Sequence, residues 1–99
     1  MKIKNSKILI TGGSSGIGLA TAKLLISKGA QVVISGRDKK TLKKAADEIG
    51  AIPIVADITN ENDVIQLVKN SIKQLNGLDV LINNAGFGYF DLLQNIKQV

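Results

Sequence analysis

The stretch Thr11 to Gly18, TGGSSGIG, constrains the fold more than any other part of the chain. It follows the apolar run Ile8-Leu9-Ile10 and precedes a helix-like run from Ile17 to Lys28. Strand, glycine turn and helix in that order frame a phosphate-binding turn. Gly12 lets the chain turn sharply off the strand. Gly16, without a Cβ, lets backbone approach a pyrophosphate, and Gly18 lets the helix lie close against the strand. The first N–H groups of the helix then point at the anion, where the helix dipole favours negative charge. Taken alone, the stretch also suits a plain turn between strand and helix. The P-loop pattern GxxxxGK[ST] fails because no lysine follows the last glycine, and GxGxxG fails on spacing.

Along the chain, apolar strand-like runs alternate with helical periods. The first strand is expected from Lys7 to Ile10 and the first helix from about Gly16 to Lys28, ended by Gly29. Ile17, Ala20, Thr21, Leu24 and Leu25 form a helical stripe, with Leu19, Ala22 and Ile26 apolar as well, so this helix is expected to pack on more than one side. A second strand, Gln31 to Ser35, ends at Gly36-Arg37. Asp38 reads as the cap of a helix over Lys39 to Ile49, with Leu42, Ala45, Ala46 and Ile49 on one stripe and Gly50 at its end. The third strand, Ile52 to Ala56, carries Pro53, which suits a sheet edge because proline removes a ladder donor. After Asp57-Ile58-Thr59, Asn60 caps a helix to about Leu75, with Val64, Val68, Ile72 and Leu75 in its stripe and Gly77 beyond. The fourth strand is Asp79 to Ile82, followed by Asn83-Asn84-Ala85-Gly86. Phe87 to Val99 shows no clear period, although Leu92, Leu93 and Ile96 suit the start of another helix.

The order βαβαβαβ implies parallel strands with right-handed crossovers. The expected fold is a three-layer, Rossmann-like α/β domain over residues 1–99, with sheet order 3-2-1-4, truncated after strand four. Its crevice should lie between strands one and four. The turns after strands one, three and four all fall at carboxyl ends and can meet on one ligand.

The 99 residues suffice for one small domain. Cysteine and histidine are both absent, which removes thiol chemistry, disulfides and the commonest metal ligand and general base. No run approaches the about 20 apolar residues of a membrane helix. The apolar run near the N-terminus is too short for a signal segment. The expected location is therefore cytoplasmic, with no membrane partner. The net charge of +5 draws on lysines at 2, 4 and 7 and at 39, 40, 43 and 44. No aromatic platform accompanies them, which argues for a solvated helix face and tail and against nucleic acid.

TGGSSGIG, Asp57-Ile58-Thr59 and Asn83-Asn84-Ala85-Gly86 together resemble the three N-terminal signatures of the short-chain dehydrogenase/reductase family. The resemblance runs from about Lys7 to Gly88. It implies an oxidoreductase that transfers hydride between a nicotinamide cofactor and a carbonyl or alcohol substrate. It further implies that Gly12, Ser14, Ser15, Gly16 and Ile17, with Gly18 behind them, face the cofactor phosphates and ribose. Asp57 would accept from the adenine amino group beside Ile58. Asn84, Ala85 and Gly86 would line the ribose, while Asn83 braces the sheet. Without the resemblance, Asp57 and the two asparagines also read as ordinary turn residues.

NAD sites place an acid at the end of the second strand, and NADP sites a cation. Gly36 holds the acid's place and Arg37 follows, so NADP is expected over NAD. Ser15 is not the basic residue that many NADP-preferring relatives carry. Asp38 remains an alternative NAD-type acid if the strand ends later.

The family chemistry needs a Tyr, a Lys four residues on, a Ser and an Asn. The single tyrosine, Tyr89, is followed at the fourth position by Leu93, so no YxxxK is present. Tyr89 reads instead as part of a loop with Phe87 and Phe90. No catalytic residue and no metal ligand are assigned. Three functions stay open: the amino-terminal part of an NADP-dependent oxidoreductase, a non-catalytic nucleotide-binding module, or a basic nucleic-acid binder reusing the fold. A carbonyl or alcohol substrate enters only if the missing carboxy-terminal half is supplied, and a homo-oligomer is compatible with the family.

Overall fold

A computed structural model describes residues 3–84. The expectations placed on Ala85, Gly86 and everything after them lie outside the described residues. The element order is β1 (Lys7–Thr11), α1 (Gly16–Ser27), β2 (Gln31–Gly36), α2 (Lys39–Ile49), β3 (Ile52–Val55), α3 (Glu61–Leu75) and β4 (Val80–Asn83). All pairings are parallel, and the sheet order is β3-β2-β1-β4. Pro53 therefore sits on an edge strand, as a residue without an N–H must.

The strands are apolar on both faces because helices cover both. On one side Ile8, Ile10, Val32 and Ile34 pack with Ala22 of α1 and Leu42, Ala45 and Ala46 of α2. On the other, Leu9 and Val33 pack with Val64, Leu67, Val68 and Leu75 of α3. The result is a three-layer Rossmann-like sandwich. No described helix is long and apolar enough to cross a membrane.

Helix α2 has the expected bounds, set by local chemistry. Asp38 accepts from the Lys40 amide at its start, and Gly50 closes it at φ 78°. Helix α3 begins at the expected cap, where Asn60 accepts from the Asp63 amide. It closes on Asn76 at φ 59°, not on Gly77; asparagine tolerates the left-handed conformation that a helix end uses. In α1 Lys28 is the last half-helical residue, and Gly29 follows it at φ 93°, the left-handed residue expected at that end.

Helix α1 departs most from expectation. Its buried residues are Gly18 and Ala22, with Leu19, Leu25 and Ile26 partly buried against the core. Ile17 is 78% exposed and Leu24 56% exposed. Because α1 is apolar on several sides, periodicity alone could not choose the face; the small residues, which permit close approach, mark the one that packs. In α3 likewise, Ile72 is exposed and Ser71 takes the buried position, bonding back to the Leu67 carbonyl at 2.7 Å.

The strand ends also shift. β1 runs on to Thr11 and β2 to Gly36, β3 stops at Val55, and β4 extends through Asn83. The basic N-terminal segment is not a loose tail where it is described. Asn5 N–H donates to the Gly29 carbonyl, and Lys7 Nζ donates to the Asn76 carbonyl at 2.7 Å.

Candidate functional site

The turn after β1 is held in place by its glycines. Gly12 and Gly16 adopt φ of 69° and 59°, a region that side chains with a Cβ rarely enter. At Gly16 the direction a Cβ would take has no atom within 4 Å, so the backbone there is open to a ligand. Gly18 is confined instead. A Cβ on it would overlap the Gly12 carbonyl oxygen and lie 2.6 Å from Asn84 Nδ2. Helix α1 can therefore sit against the turn only with glycine at this position.

The N-terminus of α1 carries no side-chain cap, because Ser15 makes no capping hydrogen bond. No acidic residue stands in its first turn. Unpaired N–H groups at such an end suit an anion. The first turns of α2 and α3, by contrast, are served by Asp38 and Asn60.

At the end of β2, Gly36 leaves room beside the Ser14 hydroxyl, with Ser14 Oγ 3.4 Å from where a Cβ would stand. Arg37 follows, exposed. Asp38 is committed to the cap of α2: its Oδ1 accepts from Lys40 N–H at 3.1 Å and its Oδ2 from Thr41 Oγ1 at 2.7 Å. These bonds hold its carboxyl below the ordinary aspartate range, the Thr41 hydroxyl contributing most. Its two oxygens thus serve the helix, which supports the capping reading over the NAD-type acid.

At the end of β3, Asp57 is fixed on three sides. Its Oδ1 accepts from Thr59 Oγ1 at 2.6 Å and from Thr59 N–H at 2.9 Å. Its own N–H donates to Asp63 Oδ2 at 2.9 Å, and its carbonyl accepts from Asn60 N–H at 3.0 Å. The two bonds from Thr59, helped by the positive charge of Arg37, hold the Asp57 carboxyl below the ordinary range.

At the end of β4, Thr11 Oγ1 donates to Asn83 Oδ1 at 3.0 Å and accepts from Asn84 N–H at 3.2 Å. Asn84 Nδ2 donates to the Gly12 carbonyl at 3.1 Å. This asparagine pair ties the fourth strand to the glycine turn.

A cleft of about 340 Å³ opens over the carboxyl ends of β1, β2 and β3. Of the residues singled out in the sequence, Gly12, Ser14, Arg37, Asp57 and Ile58 line it. Gly18 and Asn84 meet at the back of the same turn, through Gly12. Ser15, Gly16 and Ile17 are exposed at the start of α1 and do not line the cleft. The cleft thus lies on the β1–β3 side, not in the β1/β4 crevice, where Asn84 reaches across to Gly12. A larger, shallower depression of about 500 Å³ lies on the outer face of α2 between Lys40, Lys43, Lys44, Asp47 and Glu48. No strand end borders it, and its charges are those of a solvated helix.

Sequence reasoning passed over four residues here. Gly13 is buried, and a Cβ on it would lie 2.6 Å from Ile34 Cγ2. Nothing local in the sequence marks that constraint, because it comes from the neighbouring strand. Ser35, a hydroxyl in an otherwise apolar strand, lines the cleft; its Oγ is buried without a hydrogen-bond partner. Thr11 joins two strands. Thr59 lines the cleft and holds Asp57, and the aspartate–x–threonine spacing, typical of side-chain turns, carried that signal.

A family model for short chain dehydrogenase matches residues 6–98. The chain is 42% identical over 102 aligned positions to glucose 1-dehydrogenase of Gluconobacter oxydans (strain 621H), covering 97% of this chain and 38% of that protein. It is 39% identical over 94 positions to the uncharacterized oxidoreductase YxnA of Bacillus subtilis (strain 168), covering 90% of this chain and 26% of that one. Among solved structures, 3-ketoacyl-(acyl-carrier-protein) reductase from Brucella melitensis, complexed with NADH, matches with a TM-score of 0.81 at 40% identity, covering 87% of this chain and 36% of that one. The chain spans at most 38% of the length of each of these three proteins. With its parallel sheet, its glycine turn and this match along nearly its whole length, the chain belongs to the short-chain dehydrogenase family.

Proposed function

We propose that the chain forms the NADP-binding part of a short-chain dehydrogenase/reductase, whose reaction moves hydride between a nicotinamide and a carbonyl or alcohol substrate. The observation that carries this is the shared cleft: the glycine turn, Arg37 and the Asp57–Thr59 turn border one space. Those residues fit the adenosine half of a dinucleotide. Gly16 and the uncapped start of α1 offer N–H groups to the pyrophosphate. Arg37 offers a fork of donors to a 2′-phosphate, and Gly36 offers no competing acid. Asp57 offers an ionised acceptor to the purine amino group, with Ile58 against the ring. Gly18 and Asn84 hold the turn that does this work. Ala85 and Gly86 keep their proposed place on the ribose side. When bound, the dinucleotide supplies the hydride. This chain's described residues bind and orient it, and the carbonyl chemistry is assigned to none of them. The absence of cysteine from the sequence, and of apolar spanning helices among the described residues, supports a cytoplasmic setting.

A second cofactor reading, NAD, is favoured by the NADH held in the Brucella melitensis reductase. Titration of the chain with NADPH and with NADH, read by nicotinamide fluorescence, separates the two. Tighter NADPH binding that is lost in Arg37→Ala is expected. Tighter NADH binding, or an Arg37→Ala variant that keeps its NADPH affinity, defeats the NADP assignment. Absence of binding to either nucleotide defeats the dinucleotide function itself.

A further inference from the structure

The turn after β3 is built more firmly than a turn needs to be. Asp57 has four groups able to hydrogen-bond, counting each carboxylate oxygen singly. Its N–H, its carbonyl and its Oδ1 are all engaged, by Asp63, Asn60 and Thr59 respectively. Only Oδ2 accepts nothing from a described residue, on a side chain that lines the cleft. Asp63 adds an unusual detail. An acid at the third position of a helix ordinarily reaches back to the N-cap amide. Here Asp63 Oδ2 reaches past Asn60 to the Asp57 amide, while Asp63's own N–H is held by Asn60 Oδ1. The start of α3 is thereby fastened to the acid rather than to its own cap.

We infer that Thr59 and Asp63 are positioning residues for Asp57: together they fix its rotamer so that Oδ2 alone is presented to the cleft as a single, directed acceptor for a purine amino group. Both roles rest on the dinucleotide function just proposed. Thr59 acts by occupying Oδ1 twice, through hydroxyl and amide, which also favours the ionised carboxylate. Asp63 acts by holding the backbone from which the side chain projects. The charged groups facing Asp57 are Arg37, beyond β2, and Asp63, from α3. The first favours the carboxylate; the second takes its hydrogen bond from the backbone and leaves Oδ2 alone.

Two pairs of variants and two readouts test this. Thr59→Ser keeps the hydroxyl and Thr59→Val removes it at nearly constant shape. The first readout needs no ligand: the carboxyl carbon of Asp57 is titrated by NMR in the full chain. Asp57 should stay protonated to a higher pH in Thr59→Val than in wild type, and Thr59→Ser should follow wild type. The second readout compares NADPH with its hypoxanthine analogue, which carries a carbonyl in place of the amino group. Wild type and Thr59→Ser should prefer NADPH. Thr59→Val should lose about tenfold in NADPH affinity, the scale of one hydrogen bond to a charged group, and most of that preference. Asp63→Asn, which can still accept from the Asp57 amide, should keep the preference that Asp63→Ala loses. An unshifted Asp57 titration in Thr59→Val, or undiminished discrimination between the two nucleotides, overturns the positioning roles while leaving NADPH binding by the wild type intact. Failure of the wild type to bind either nucleotide overturns the dinucleotide function, and with it the amino-group acceptor.

Discussion

Asn84 Nδ2 donates to the carbonyl oxygen of Gly12 across 72 residues of sequence, at 3.1 Å. The bond passes beside Gly18, at the place a Cβ would occupy. The end of β4, the first turn and the first helix thus meet at one point. Gly18→Ala should therefore destabilise the fold by about 1–3 kcal/mol, the range for forcing extra volume into a packed site. Asn84→Ala, which only deletes an exposed bond, should cost under about 0.5 kcal/mol. Urea unfolding of both variants checks the order; equal losses would show that Gly18 is not confined as described.

Thr11 and Ser35 are adjacent in register on β1 and β2, yet their hydroxyls fare differently. Thr11 Oγ1 both donates and accepts, whereas Ser35 Oγ is buried with no partner. Thr11→Val should lose about 1–2 kcal/mol, because it strands the groups that bonded to the hydroxyl. Ser35→Ala should change stability by less than about 0.5 kcal/mol in either direction, since it removes a polar atom that gains nothing from burial. Thermal unfolding of the pair is the measurement, and a large loss in Ser35→Ala would point to a bound water at that hydroxyl.

The cofactor preference should be reversible at one position. Gly36 accepts a Cβ at ordinary van der Waals distance from Ser14 Oγ and Leu42 Cδ1, 3.4 and 3.5 Å. Gly36→Asp would add a carboxylate there without disturbing the backbone. It should weaken NADPH binding by repelling the 2′-phosphate and favour NADH by about tenfold, roughly 1.4 kcal/mol. Competitive titration of the two nucleotides reads the change.

Acid should loosen the ends of β2 and β3. Asp38 and Asp57 both have their carboxyl pKa lowered in the folded chain, chiefly by the Thr41 and Thr59 hydroxyls. A depressed folded value means that each contributes stability in full above the ordinary aspartate range. That stability is lost as pH falls through the folded value, when the proton displaces the donors. Asp57→Asn and Asp38→Asn should each flatten the acid side of the stability curve. Urea midpoints between about pH 2 and 6 test this. A curve unchanged in slope would exclude these two groups as its source.

The sequence was most legible where local chemistry decides. Asp38 and Gly50 bound α2 because capping needs only neighbours along the chain. Pro53 marked an edge because it lacks a donor wherever it sits. Legibility failed where the decision lay across the sheet. Gly13 is glycine because of Ile34, on another strand. Helix α1 was apolar on several sides, so Ile17 and Leu24 looked as fit for the core as Leu19 and Ile26, and only packing separated them. The candidate site divided in the same way. The turns that line the cleft were readable as motifs, and the aspartate–x–threonine spacing marked Thr59 as a brace, whereas Asp63 and Thr11 emerged as braces only from hydrogen-bond geometry.

The glycine turn after β1 is gripped by its neighbours at two successive residues. The Gly12 carbonyl is bonded from beyond β4, the Gly13 amide donates to the Ser35 carbonyl at 3.1 Å, and Ile34 fills the space a Cβ on Gly13 would need. A segment rich in glycine is ordinarily the most entropically expensive kind to order around a guest. In this chain that expense is already met during folding, so a ligand arriving at the turn finds its walls standing and keeps more of its contact energy as affinity.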